Sequence, residues 1–155
     1  MDLKFRVAAR IARPVHDVFE AIADPKQLSN YFTTGGAKGR LESGATVTWA
    51  FHDFPGEIPV EVVEVEPDRR IVLRWQAHEV GDTGMLPSDY KTEVHMEFSA
   101  LDDGRTLVQI TEFGWHETPA GLKGSYANCE GWTQMACALK AWLEHGINLR
   151  EGMYK

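Results

Sequence analysis

The chain carries one long apolar helical stripe, and it comes last. In the stretch GWTQMACALKAWLEHG, from Gly131 to Gly146, residues Trp132, Met135, Ala136, Leu139 and Leu143 recur at the spacing of one helix face. Ile147 prolongs that face forwards. Cys129, Asn128 and Ser125 prolong it backwards, so the stripe is apolar at its C-terminal end and polar at its N-terminal end. The helix is expected to begin between Pro119 and Ser125 and to run to about His145. Gly146 is a favourable stop, and His145 suits the negative end of the helix dipole.

Most of what precedes that helix alternates. Asp2 to Ala12 places Leu3, Phe5, Val7, Ala9 and Ile11 on one side, the pattern of a half-buried strand. Pro14 fits a first helical turn, and Val15, Val18, Phe19 and Ile22 follow at helical spacing until Asp24-Pro25 ends the run. A second short turn covers Lys26 to Phe32, and Gly35, Gly36 and Gly39 mark a loop. Further strands are expected at Thr46 to Phe51, Val60 to Val65, Arg70 to Gln76, Tyr90 to Ala100 and Thr106 to Phe113. Glu79 to Asp89, which holds Gly81, Gly84, Pro87 and Ser88, reads as a loop. Asp103-Gly104 is a hairpin signal.

A run of antiparallel strands with one apolar face needs a cover, and only the C-terminal helix is long enough to supply it. The expected fold is therefore α+β. A curved antiparallel sheet of about six strands wraps the long C-terminal helix, and two short helices follow the first strand and close one end. No repeat, linker or low-complexity tract divides the chain, so residues 1–155 read as a single domain. One helix covers only part of such a sheet, so a cavity between helix and sheet is the natural place for a small molecule.

Charge and cysteine usage narrow the partners. The formal net charge of −7 argues against nucleic acid or an anionic membrane surface as partner, since both need a basic footprint. Cys129 and Cys137 lie eight residues apart on the helix, about 12 Å, beyond disulfide reach. Unpaired thiols, no N-terminal leader pattern and no run long enough to span a bilayer together make the cytoplasm the expected compartment.

Several stretches, in this order and spacing, resemble one superfamily. IARPVHDVFEAIADPKQLSNYF (Ile11 to Phe32) is similar to its first strand end, helix and Asp-Pro turn. EPDRRIVLRW (Glu66 to Trp75) is similar to its turn and strand ending in Trp. TLVQITEFG (Thr106 to Gly114) resembles the strand before its long loop, and Gly131-Trp132 stands where it carries Gly-Trp in the long helix. The chain resembles the START-like (SRPBCC) superfamily, typified by the birch-pollen allergen and its helix-grip fold. It is most similar to bacterial single-domain proteins related to the C-terminal domain of the activator of the 90-kDa heat-shock-protein ATPase. That resemblance implies apolar-ligand binding in some members, cyclase-type or related chemistry in others, and chaperone activation in the eukaryotic ones. The eukaryotic activators use a separate N-terminal domain for much of the chaperone contact, and these residues show no counterpart of it.

The candidate site follows from which residues face the hollow. Trp49, Phe51, Trp75, Val94, Met96, Phe98, Val108 and Ile110 from the strands, with Ser125, Asn128, Trp132, Met135 and Leu139 from the helix, are the expected pocket lining. Tyr31 and Phe32 stand at an entrance beside the glycine loop. Glu112 shares parity with Val108 and Ile110 and so points inward, unless the strand end brings it to water. A carboxylate there is a polar anchor for a ligand head group or a weak candidate for acid/base catalysis. The six histidines show no metal-ligand spacing, and no nucleophile elbow, phosphate loop or dinucleotide fingerprint is present, so no metal or cofactor is expected. The leading expectation is a non-catalytic or weakly catalytic binding module for a small hydrophobic molecule. A cyclase or hydrolase using Glu112, and a co-chaperone-like interaction domain exposing Leu107 and Phe113, stand as alternatives. A homodimer is a further expectation.

Overall fold

The computed structural model describes residues 2–154. Its elements run β1 (Lys4–Ile11), α1 (Val15–Ala23), α2 (Pro25–Leu28), β2 (Gly36–Lys38), β3 (Thr46–Phe51), β4 (Phe54–Glu66), β5 (Arg70–Gly81), β6 (Gly84–Ala100), β7 (Thr106–Phe113) and α3 (Pro119–His145). The seven strands form one antiparallel sheet in the order β1-β7-β6-β5-β4-β3-β2. Strands β2 to β7 follow one another as a meander, and β1 closes the far edge by pairing with the last strand. The helix-grip architecture expected from the sequence is the one observed.

The alternating residues do what their parity implies. Val94, Met96 and Phe98 of β6 and Val108 and Ile110 of β7 are buried in the core, as are Ile71 and Leu73 of β5. From above, α3 buries Trp132, Met135, Ala136, Ala138 and Leu139. The amphipathic helix α1 buries Val18, Phe19 and Ile22 and seals one end, with the Phe19 ring edge-on to Phe98 at 5.7 Å. Thr118 caps α3 by accepting a hydrogen bond from the Gly121 N–H at 3.0 Å, and Pro119 takes the first turn, where its missing N–H costs nothing.

Four expectations are corrected. The sheet has seven strands, because the glycine segment contributes the short β2 beside β3. Glu79 to Asp89 is not a loop: β5 and β6 remain paired to Gly81↔Gly84. Beyond Trp75, β5 no longer pairs with β4, and before Glu93, β6 does not pair with β7. Residues 76–91 thus form a two-stranded arm that leaves the sheet and leans over the start of α3. Strand β4 begins at Phe54, ahead of Val60, and Pro59 is tolerated because only β3 lies beside it there. Finally, Ile147 does not extend the buried stripe. Gly146 adopts φ 67°, its N–H bonds the Trp142 carbonyl at 2.8 Å, and the chain turns away, leaving Ile147 exposed.

Candidate functional site

Glu112 is the most informative polar residue in the molecule. It follows Val108 and Ile110 on the inner face of β7 and is wholly inaccessible to solvent. Burial pushes its carboxyl above the ordinary value, and a ring of donors opposes that shift. Oε1 accepts from the indole N–H of Trp132 at 2.9 Å and from Nδ2 of Asn128 at 2.9 Å. Oε2 accepts from the indole N–H of Trp75 at 3.0 Å, the Thr92 hydroxyl at 2.9 Å and Nδ2 of Asn128 at 3.0 Å. Strands β5, β6 and β7 and helix α3 each deliver a member, so the carboxylate ties the sheet to the helix. Thr92 can accept as well as donate by rotating its hydroxyl alone, which gives a proton on Glu112 somewhere to point.

The indoles held in this way turn their faces to a cavity. The rings of Trp75 and Trp132 lie 5.4 Å apart, Phe32 stacks on Trp132 at 5.7 Å, and Phe51 meets Phe32 edge-on at 5.1 Å. The cavity measures about 350 Å³, within the usual span for small-molecule sites. Its wall takes Ile58 and Phe54 from β4, His78 and Met85 from the arm, and residues from Ala127 to Met135 from α3. Two glycines make the arrangement possible. A Cβ on Gly124 would fall 2.4 Å from the His78 carbonyl oxygen, so only glycine lets the arm lie this close to α3. Gly131 lines the cavity, and a Cβ there would meet nothing within 4 Å.

The last residues of the described chain cover one side. Arg150 reaches back to Asp53 and donates two hydrogen bonds, Nη1 to Oδ2 at 2.6 Å and Nη2 to Oδ1 at 2.9 Å. Its guanidinium sits between the rings of Phe51, 5.5 Å away, and Tyr154, 4.4 Å away. The Arg150 hydrogen bonds hold the Asp53 carboxyl below its ordinary value. His78, across the cavity, is pushed below the usual histidine value by burial and stands edge-on to Phe54.

Of the residues singled out in the sequence, the structure brings Phe32, Phe51, Trp75, Asn128, Trp132 and Met135 to the cavity wall. Glu112 lies directly behind that wall, bonded to three of its members, rather than in it. Trp49 is sealed beneath Trp75 and Phe32. Val94, Met96, Phe98, Val108, Ile110 and Leu139 belong to the closed core. Ser125 is buried with its hydroxyl donated to the Leu122 carbonyl, and Tyr31 is buried with its hydroxyl donated to the Ala21 carbonyl, so neither borders the cavity. His78, Asp53, Gln134, Arg150 and Tyr154 were not anticipated. For His78 the reason is a bulge between Gln76 and His78, which breaks the parity of β5 and re-aims its side chains.

Among the described residues no group of three or more His, Cys, Asp or Glu is placed to hold a metal, and no helix is long and apolar enough to cross a membrane. Cys129 and Cys137 are both unpaired. Leu107 and Phe113 do not form an exposed patch on the outer face: both are half-buried, with the Phe113 ring met by His95 at 5.3 Å and by the Lys4 ammonium at 5.7 Å.

A family model described as activator of Hsp90 ATPase homolog 1-like protein matches residues 12–144. Among solved structures, a protein from Staphylococcus saprophyticus is similar at 27% identity over 97% of this chain and 96% of its own, with a TM-score of 0.72. A protein of the dynemicin biosynthetic locus, DynU16, is similar at 22% identity over 96% of this chain and 49% of its own, with a TM-score of 0.78. The Aha1 dimer from Colwellia psychrerythraea is similar at 20% identity over 92% of this chain and 97% of its own, with a TM-score of 0.70. No curated protein matches.

Proposed function

The chain belongs to the activator of Hsp90 ATPase homolog 1-like family, and on that premise we propose that it is a cytoplasmic receptor or carrier for a small, largely apolar molecule. The observation that carries this reading is the cavity of about 350 Å³, walled by Phe32, Phe51, Trp75 and Trp132, with the two indoles anchored from behind by one buried carboxylate. A site meant to be packed would not leave a glycine facing open space in the middle of a long helix, where glycine costs about 1 kcal/mol relative to alanine. The geometry favours binding over acid/base chemistry at Glu112, because both carboxylate oxygens are occupied by donors and neither borders the cavity.

The test is a thermal-shift and tryptophan-fluorescence titration against a panel of fused-ring and aliphatic probes, run on the wild type and on Gly131→Leu. The wild type should respond to fused-ring probes and the filled variant should not. Identical responses from the two proteins, or silence from both, would reject the reading.

A second reading, association with another protein or a second copy of the chain, draws on the family name and on the dimeric relative. Leu86 on the arm and Leu122 and Tyr126 on the first turns of α3 are exposed apolar side chains that a partner would cover. Sedimentation of the wild type beside Tyr126→Glu tests it: a dimer lost in the variant supports it, and a monomer in both removes the homodimer.

A further inference from the structure

Given that cavity as a ligand site, the direction of the hydrogen bonds in its wall bears on what fits. The nitrogen donors of the wall are largely spent on carboxylates. The indoles of Trp75 and Trp132 and the amide nitrogen of Asn128 all donate to Glu112. Nε2 of Gln134 points to Glu130 at 3.3 Å, and the Arg150 fork is engaged by Asp53. What remains toward the cavity is the other half of each amide. Oδ1 of Asn128 accepts none of the hydrogen bonds among the described residues, and Oε1 of Gln134 is buried without a partner.

The orientation of Asn128 is not free. Its Nδ2 lies 2.9 and 3.0 Å from the two oxygens of Glu112, and an ionised carboxylate only accepts. A proton on Glu112 can turn to Thr92, whose hydroxyl accepts as well as donates, and so leaves the amide where it is. With the nitrogen held behind, the trigonal amide directs its oxygen the other way, and Asn128 borders the cavity. Charge adds no buried demand, because Asp53 and Arg150 neutralise each other, Glu112 is sealed from the space, and the Glu130 carboxylate in the lining is exposed to water. Asn128 is half-buried, and a ligand that covers its oxygen without offering a donor leaves that acceptor unpaired at a cost, so a ligand that supplies a donor replaces what water would otherwise provide.

We propose that the cavity selects an uncharged aromatic ligand that donates a hydrogen bond, through a phenolic O–H or an aromatic N–H, to Oδ1 of Asn128. Glu112 acts as the positioning residue that fixes the polarity of that amide. The proposal rests on the reading of the cavity as a ligand site and narrows the class of ligand.

Calorimetric titration with naphthalene, 2-naphthol and 2-methoxynaphthalene separates the two claims. The last two differ in whether the oxygen can donate. The wild type should bind 2-naphthol about tenfold more tightly than 2-methoxynaphthalene, the ratio one ordinary hydrogen bond supplies. Asn128→Leu should erase that preference while naphthalene still binds. Should the leucine variant fail to fold, Asn128→Ala carries the same test with less bulk. Equal binding of the two probes by the wild type, or a preference that survives removal of Asn128, overturns the proposal and leaves the cavity reading standing. Failure of all three probes to bind the wild type overturns both.

Discussion

The two halves of α3 rest on the same sheet and solve the space between helix and sheet in opposite ways. The C-terminal half packs Leu139 and Ala138 into the closed core, and its polar contacts, Lys140 donating to the Arg10 carbonyl and Glu144 accepting from the Ala12 N–H, lie at the exposed rim. The N-terminal half carries Asn128, Gly131 and Trp132, donates three of the five hydrogen bonds that hold a buried carboxylate, and borders a cavity. The packed half shows where stability comes from: apolar side chains closed against one another in the core. The open half shows what a fold must do to keep a hole. It locks the surrounding rings with directional bonds, because apolar packing alone would collapse into the space.

The comparison breaks most visibly at its packed end. Leu139→Ala should cost about 2–5 kcal/mol in urea unfolding, the range for a large-to-small change in a closed core, and leave probe affinity unchanged. A loss of affinity there would mean that the two halves are not separate.

Glu112→Gln comes next, at about 1–3 kcal/mol. Whichever way the new amide turns, its NH₂ meets an indole N–H, because Trp132 donates to one oxygen and Trp75 to the other. The same variant carries a pH signature. Burial raises the folded carboxyl above 4.5, so the folded state holds the proton over a pH range where the unfolded state has released it. That contribution is fully present below the unfolded pKa and is lost as pH rises through the folded one. The margin of wild type over Glu112→Gln should therefore narrow with rising pH; a margin that widens would show that the donors outweigh burial.

Gly131→Leu sharpens the contrast from the other side. Removing a mid-helix glycine should stabilise the protein by up to about 1 kcal/mol while abolishing probe binding, so stability and binding move in opposite directions. Destabilisation instead would show that the side chain meets something other than an empty cavity.

The smallest global effect is expected for Asp53→Asn. The final residues can undock without unfolding the core, so the change in global stability should stay below about 1 kcal/mol. Hydrogen exchange of residues 147–153 should nevertheless accelerate, and bound probe should leave faster. In the wild type the contribution of this pair is fully present above the unfolded Asp pKa and is lost as pH falls through the lower folded value, because the Arg150 hydrogen bonds depress Asp53.

Much of the contrast was legible before any coordinates. The alternation of Val108, Ile110 and Glu112 implied an inward carboxylate, and the helical face implied Asn128 and Ser125 nearby, of which Asn128 bonds it while Ser125 turns to the Leu122 carbonyl, since parity and the 3.6-residue period are local properties. Other features were not. The bulge that re-aims His78 leaves no mark in hydrophobic periodicity, and the arm read as a loop because Gly81, Gly84 and Pro87 look alike in a turn and in a two-stranded ribbon outside the sheet. The Arg150–Asp53 contact joins residues 97 positions apart, and no pattern within either segment announces it.

The sequence by itself determined the strands and helices of the core, the covering role of the last helix and the faces they bury, because each follows from short-range spacing and from the need to remove apolar surface from water. Only the tertiary structure decided that Glu112 stands behind the aromatic wall rather than within it, that Asn128 commits its amide nitrogen to Glu112, and that Arg150 and Tyr154 join the cavity wall. These depend on which donors arrive from four separate elements and on how much volume their side chains leave unfilled, and both are properties of the assembled whole.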